Sequence, residues 1–454
     1  MVERSFCVIL YVMTVMVAMT SQQRTLGGFK EVYAWKQLTY NIDGEILNHD
    51  LFSEDIGEKE KTKRSDEYII FINDDDDTET YKKSTRLPNT PRPKPVDEEN
   101  SLFIQYNNVP MGVERVGDIL FVAVPRRRYG IPSTLNYINL REAKERSPPL
   151  RPYPNFRTSL TLTSVYRTRA DVCNRLWMVD TGLLEIPNKP QQVQQPAIVI
   201  FDLNTNEEIL RYPLKDSDLP AANTPTGLAS ITVDIYDDCD DAYAYIPDLT
   251  TNGIIVYSLK KNDSWRLSNL YFNFDPIAAT LTIANQTFQW SDGIFSITLS
   301  NPGPLGCRTA YFHPMISTHE FSVSTCILKN KNLSSQSDYF KHYSIVGERG
   351  EKTQSTMHGH HDDTRVIFFA DIGRDGISCW NTDKMMTPYN VELLASDQKL
   401  MSYPADLHVT VDEVWTIANT MPKFGYSKLD PNEYNFYIYK GNVQSLISGT
   451  VCAP

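Results

Sequence analysis

Leu176-Trp177-Met178-Val179-Asp180-Thr181-Gly182 is an apolar strand that runs into an aspartate and then a turn. The unit returns as Tyr243-Ala244-Tyr245-Ile246-Pro247-Asp248, followed by Thr250-Thr251-Asn252 and then Gly253-Ile254-Ile255-Val256-Tyr257. It returns again as Val366-Ile367-Phe368-Phe369-Ala370-Asp371, with Gly376-Ile377-Ser378-Cys379-Trp380 beyond the turn. The first two aspartates stand roughly 70 residues apart and the third about twice that further on, which leaves room for one degenerate copy. A unit of this size cannot bury its own apolar face, so such repeats stack into a solenoid or close into a propeller. Each copy is strand, which selects the propeller. Asp180, Asp248 and Asp371 are read as turn chemistry, accepting backbone amides at a tight corner.

Further strands continue the series at Ile119–Val124, Ala197–Leu203, Ser291–Leu299 and Val414–Asn419. Roughly 350 residues of ordered chain at about 55–65 per blade give six blades. The expected fold class is therefore all-β, a six-bladed β-propeller over residues 101–454. Residues 51–100 differ in character: Glu58–Arg64 alternates charges, Asp74–Asp77 is an acidic run and Pro88–Pro95 is proline-rich. Such a stretch cannot bury enough apolar area to offset its ordering entropy, so a disordered insertion is expected there. Tyr68–Ile72 is the piece able to dock as a strand, and Lys61-Thr62-Lys63-Arg64 the piece able to serve as a processing site. Residues 22–50 form an N-terminal segment that joins the propeller.

Arg4 followed by an apolar run from Phe6 to Met19 and then small residues reads as a secretory signal over residues 1–21, too short to span a membrane. With Cys7 removed, an even set of cysteines remains, as in a disulfide-bonded secreted chain. Strands on either side of a turn near Ile316-Ser317 set Cys307 opposite Cys326. Cys173 and Cys239 each precede a copy of the repeat, one blade apart, and would staple neighbours; Cys379 and Cys452 are left to clasp the last blade. Asn262, Asn285 and Asn332 stand in glycosylation sequons. The net charge of −12 carries no basic stripe, which excludes a nucleic-acid partner.

Val124-Pro125-Arg126-Arg127-Arg128-Tyr129-Gly130-Ile131-Pro132-Ser133-Thr134-Leu135-Asn136-Tyr137 resembles a signature of the insect Yellow and major royal jelly proteins. Arg175–Gly182, Ala242–Asp248 and Cys379-Trp380-Asn381 resemble the same family in the same order, and Glu31–Tyr40 fits its upstream part. The insertion lies outside that pattern. The resemblance implies a secreted six-bladed propeller acting in cuticle or eggshell hardening, pigmentation, larval nutrition or amine capture. It also implies that some members speed dopachrome conversion.

In the amine-binding relatives a ligand sits in the central channel, and Leu407–Phe424 resembles part of that site. Asn419 falls where an amide would meet the ligand amine, Ala405 where binding relatives carry a hydroxyl, and Met421 where an aromatic would help. Alternatively, Asn419 merely ends a strand and supports a turn. Arg126, Arg127 and Arg128 would pair with a substrate carboxylate or with neighbouring blades. His358-Gly359-His360-His361-Asp362-Asp363 offers metal-ligand types, but Gly359 marks a flexible stretch without a scaffold, so no metal is expected. Asp234, Asp237, Asp238, Asp240 and Asp241 read as a solvated loop rather than a calcium site. No nucleophile elbow, phosphate loop or zinc-protease motif occurs, so no catalytic residue and no cofactor are assigned. The expected function is an extracellular binding or structural factor in cuticle, eggshell or pigment chemistry, with a small biogenic amine, catechol or indole in the channel. The alternatives are a dopachrome-converting isomerase and a storage protein.

Overall fold

The strands that carry the repeated aspartate have neighbours on both faces, which explains why their apolar runs do not alternate. Arg175–Asp180 and Val366–Asp371 are buried at every position. In the computed structural model, which describes residues 25–52, 101–187, 189–221, 224–333 and 336–454, each is the second strand of a four-stranded antiparallel sheet. The chain forms the expected six-bladed propeller. The innermost strands of blades one to six are Gly112–Val116, Val165–Ala170, Thr232–Asp234, Ile294–Leu299, Ser355–His361 and Pro404–Val409. The degenerate repeat is blade four, where Thr309–Pro314 turns through Pro314 and Met315 instead of an aspartate into His319–Ser324.

Blade six is assembled from both ends of the chain. Pro404–Val409, Glu413–Ala418 and Phe436–Asn442 are completed by Phe29–Trp35, with Trp35 opposite Phe436 and Ala34 opposite Tyr437. The N-terminal segment thus closes the ring, and the Trp35 indole N–H donates to Pro148 O (2.8 Å) to hold that strand against blade one. Leu51–Phe52 pairs with Ser101–Phe103, so the chain leaves and returns at one point around the insertion. Residues 53–100, with Lys61–Arg64 and Tyr68–Ile72, lie outside the described residues, as does the expected signal at 1–21.

The structure holds disulfides Cys173–Cys239, Cys307–Cys326 and Cys379–Cys452. The first joins blades two and three, the second lies within blade four, and the third ties blade five to the C-terminus. Asn262, Asn285 and Asn332 are exposed; Asn285 sits at a hairpin turn with φ +61°. Among the described residues no helix is long and apolar enough to cross a membrane.

A bridge that closes a loop of 73 residues removes much conformational freedom from the unfolded chain. Replacing Cys379 and Cys452 together by serine should lower unfolding stability by about 2–4 kcal/mol, read from urea denaturation without reductant.

Candidate functional site

The six inner strands run side by side along the axis, and their ends define two mouths. Between the mouths lies a waist of buried charge. Arg167 of blade two reaches across to the carbonyl of Ala405 and donates to Ala229 O (2.9 Å); its guanidinium stands 4.9 Å from the Phe295 ring. Asp406, with no exposed surface, accepts from Val113 N (2.9 Å) and Arg169 (3.1 Å) and faces Arg167 Nε at 3.6 Å. Glu114, equally buried, accepts from Arg169 (3.1 Å) and Ala170 N (2.8 Å) and meets His408 Nδ1 at 2.8 Å. Burial alone would raise the Glu114 pKa, but the charge and hydrogen bond of His408, then Arg169 and the Ala170 amide, hold it below the usual range.

The first mouth lies where the inner strands begin. Asp292, two residues before the blade-four strand, is partly exposed there, and burial of its carboxyl pushes its pKa up to about 6 while the Arg127 charge pulls it back. Arg127 and Asp292 also act on the buried phenol of Tyr403, whose pKa burial raises. A second carboxyl at this end, Asp375, is likewise raised to about 6 by burial, but it is more enclosed and accepts from Tyr403 N (3.3 Å). Asp292 is therefore the accessible one. The hairpin Thr280–Ile283/Gln286–Gln289 and the helix Met421–Tyr426 cover this mouth with rings. Trp290 donates its indole N–H to the Tyr426 hydroxyl and stands edge-on to Tyr403 at 5.8 Å, and Phe288 stacks on Tyr426 at 4.8 Å.

Asn419 is fully buried at this end, and its amide is committed to the backbone. It donates to Pro110 O (2.8 Å), contacts Met111 Sδ and accepts from Met421 N (3.1 Å). That last bond repeats the corner of the sequence repeat: Asp180 accepts from Gly182 N (3.2 Å) and Asp248 from Thr250 N (3.3 Å), each two residues on. Asn419 is thus the blade-six counterpart of the repeated aspartate, and the role visible in the structure is the turn-supporting one. Met421 begins the covering helix, and Ala405 is buried with its carbonyl on Arg167. The three arginines divide. The Arg126 guanidinium bonds backbone carbonyls of Ile131, Pro132, Leu162 and Thr163, the Arg127 charge acts on Asp292, and Arg128 lies 4.1 Å over the Phe424 ring.

The opposite mouth is a cavity of about 250 Å³ lined by His360, His408, Arg169 and Arg308 among Ile297, Leu299 and Val409. His360 Nδ1 meets Asp362 at 3.0 Å, and that hydrogen bond keeps the Asp362 pKa low. The histidine motif therefore sits on a strand, not in the flexible stretch expected from Gly359. A Cβ there would come within 2.6 Å of Val409, so glycine serves the close approach of blades five and six. The strand separates its histidines. His361 bonds Val411 O (2.7 Å) and Asp363 is exposed, while His358 turns inward against Ser296. The ligand types that do converge are His313, Glu320 and His358, all buried between blades four and five. Of the acidic loop, Asp234 is buried and paired with Arg308 and Lys329, so it is structural.

A model of the family described as "Major royal jelly protein" matches residues 163–452. The chain belongs to the major royal jelly protein family. It is 46% identical over 361 residues to the L-dopachrome tautomerase yellow-f of Drosophila melanogaster, covering 77% of this chain and 83% of that one. It is 37% identical to a dopaminechrome tautomerase of the same fly, over 78% and 79% of the two chains. Protein yellow of Drosophila melanogaster is 38% identical over 77% of this chain and 65% of its own length.

Two stability tests follow from the waist and the corner. Asp406→Ala leaves two buried guanidinium groups without their shared acceptor and should cost about 3–5 kcal/mol of unfolding free energy. Asn419→Ala strands the Met421 amide and should cost about 1–3 kcal/mol in the same measurement.

Proposed function

We propose that this protein is a secreted isomerase of aminochromes of the dopachrome type, acting in extracellular pigment or cuticle chemistry. The observation that carries the reading is Asp292: a partly exposed residue at a channel mouth whose carboxyl has its pKa raised to about 6 within reach of the Arg127 charge, two residues from Trp290 of the Trp290–Tyr403 ring pair. The identity to two tautomerases supports it. Holding a ligand and converting it differ in whether a titratable group faces the channel, and a passive binding or storage role needs none.

The isomerisation moves two C–H protons of the five-membered ring to the two quinone oxygens, so substrate and product have the same atoms. It begins with a base at a ring carbon, and a base poised near the working pH is the most effective. In this reading Asp292 takes that proton, and the electron pair of the broken C–H bond flows into the quinone. Arg127 holds the substrate carboxylate or the oxygen on which charge develops. Trp290 and Tyr403 supply flat apolar surface for the ring and keep water from it.

The decay of dopachrome absorbance with purified mature protein, against a heat-inactivated control, tests the reading. Saturable acceleration is expected, with kcat/KM falling as pH drops through about 6, because only the ionised carboxylate accepts a proton. Asp292→Asn should slow turnover by about 100- to 10,000-fold with the fold intact by circular dichroism. Acceleration that survives Asp292→Asn and is lost in His408→Gln would overturn this assignment in favour of the opposite mouth. No acceleration at all would leave binding or structure.

A further inference from the structure

We propose that His313, Glu320 and His358 form a buried site for one divalent late transition metal, with Zn²⁺ the fitting ion, that staples blade four to blade five. His313 ends the second strand of blade four, Glu320 lies in its third strand, and His358 lies in the inner strand of blade five. Their exposures are 0%, 0% and 3%, and their ligand atoms all lie within 4.8 Å of one another.

The proton inventory of this cluster is short. His313 Nε2 stands 3.2 Å from Thr356 O, and a carbonyl can only accept, so that nitrogen carries the hydrogen. In a neutral ring Nδ1 is then a bare lone pair, yet it faces Glu320 Oε2 at 3.0 Å, acceptor against acceptor. Glu320 Oε1 and His358 Nε2 are buried and meet only each other, at 3.1 Å and outside hydrogen-bonding geometry. Buried polar atoms without partners are rare and mark a missing water or ion. With His358 Nδ1 donating to Ser296 Oγ, two imidazole nitrogens and a carboxylate oxygen converge with no proton between them, the ligand set of many zinc sites.

The outer contacts fit the same reading. Thr356 O fixes the His313 tautomer, and Ser296 Oγ, 2.6 Å from His358 Nδ1, also accepts the His358 backbone N–H (3.1 Å). Arg349 donates to Glu320 Oε2 (2.6 Å) and to the carbonyls of Ser317, His319 and Thr353. It therefore holds one carboxylate oxygen and leaves Oε1 for the ion. Arg349 also brings its own positive charge, which a divalent ion must tolerate alongside the Asp371–Arg374 pair beyond it. Among the described residues no disulfide crosses between blades four and five, whereas blades two and three have one. A site without solvent access is loaded as the chain folds, so its binding energy becomes folding energy.

The test is elemental analysis of the full secreted chain after exhaustive dialysis against metal-free buffer, with thermal unfolding in parallel. About one zinc per chain is expected, lost in His358→Gln and retained in His360→Gln, which alters the same motif outside the cluster. Ser296→Ala should weaken zinc affinity about 10- to 100-fold through the outer contact alone. Should His358→Gln fail to fold, wild type refolded with Co²⁺ in place of Zn²⁺ reports directly, by the ligand-field bands of a nitrogen- and oxygen-bound low-coordinate ion. Wild-type protein refolded with Zn²⁺ present that holds no zinc and unfolds at the same temperature as protein refolded in metal-free buffer would overturn the proposal. Zinc kept equally by His358→Gln would do so too.

Discussion

Asp406 is a carboxylate with no contact with water, and three blades depend on it. It takes the Val113 amide from blade one, Arg169 and Arg167 from blade two, and lies itself on the inner strand of blade six. A buried charge is tolerable only when its partners are fixed, and here each partner is fixed again: Arg169 by Glu114, Glu114 by His408 of blade six. The consequence for function is geometric. Arg167 bridges Ala229 and Ala405 from blade two, a buried charge that stands between the two mouths. Each mouth then keeps its own chemistry, a raised carboxyl at one and paired histidines at the other.

The blades were readable because burial on both faces leaves an unbroken apolar run, and because the aspartate at the corner is a local necessity. Asp180 alone accepts from Thr163 N and Ser164 N, both at 2.8 Å. The same logic, carried one blade further, would have placed Asn419 in the series, since Glu413–Ala418 is an identical strand followed by a residue with the same acceptor oxygen. The ring closure was not readable. Phe29–Trp35 pairs with Phe436–Asn442 from the far end of the chain, and no short-range pattern specifies a partner at that distance. The pairing rests instead on hydrophobic burial of Phe29, Ala34 and Trp35, each with no exposed surface.

The waist left a fainter signal. Arg167 and Arg169, Asp406 and His408, and His358 and His360 are each two apart on an inner strand, so each pair points to one side of its sheet. Polar and charged groups at alternate positions of an otherwise buried strand are costly unless they are partnered, and their recurrence in three blades is the sign that they are. Reading His358, His360 and His361 as one loop cluster missed this, because strand alternation sends neighbours apart while bringing His358 to His313 across a blade interface at a ring separation of 4.5 Å.

Asp292 could not be singled out from sequence because its distinguishing property is made by distant segments. The hairpin Thr280–Ile283/Gln286–Gln289 and the helix Met421–Tyr426 cover the mouth where this carboxyl lies, and desolvation is the largest cause of its raised pKa. That cover has two effects on a base. It weakens the ionised form's solvation, which makes the carboxylate a better proton acceptor, and it strengthens the pull of Arg127 on any anion placed beside it. A planar ring laid against the Trp290–Tyr403 pair would put an apolar wall where water stood, so the carboxyl would stay desolvated through the encounter. The aromatic cover and the basicity of Asp292 are thus one property of the mouth, set by packing rather than by the residues adjacent in the chain.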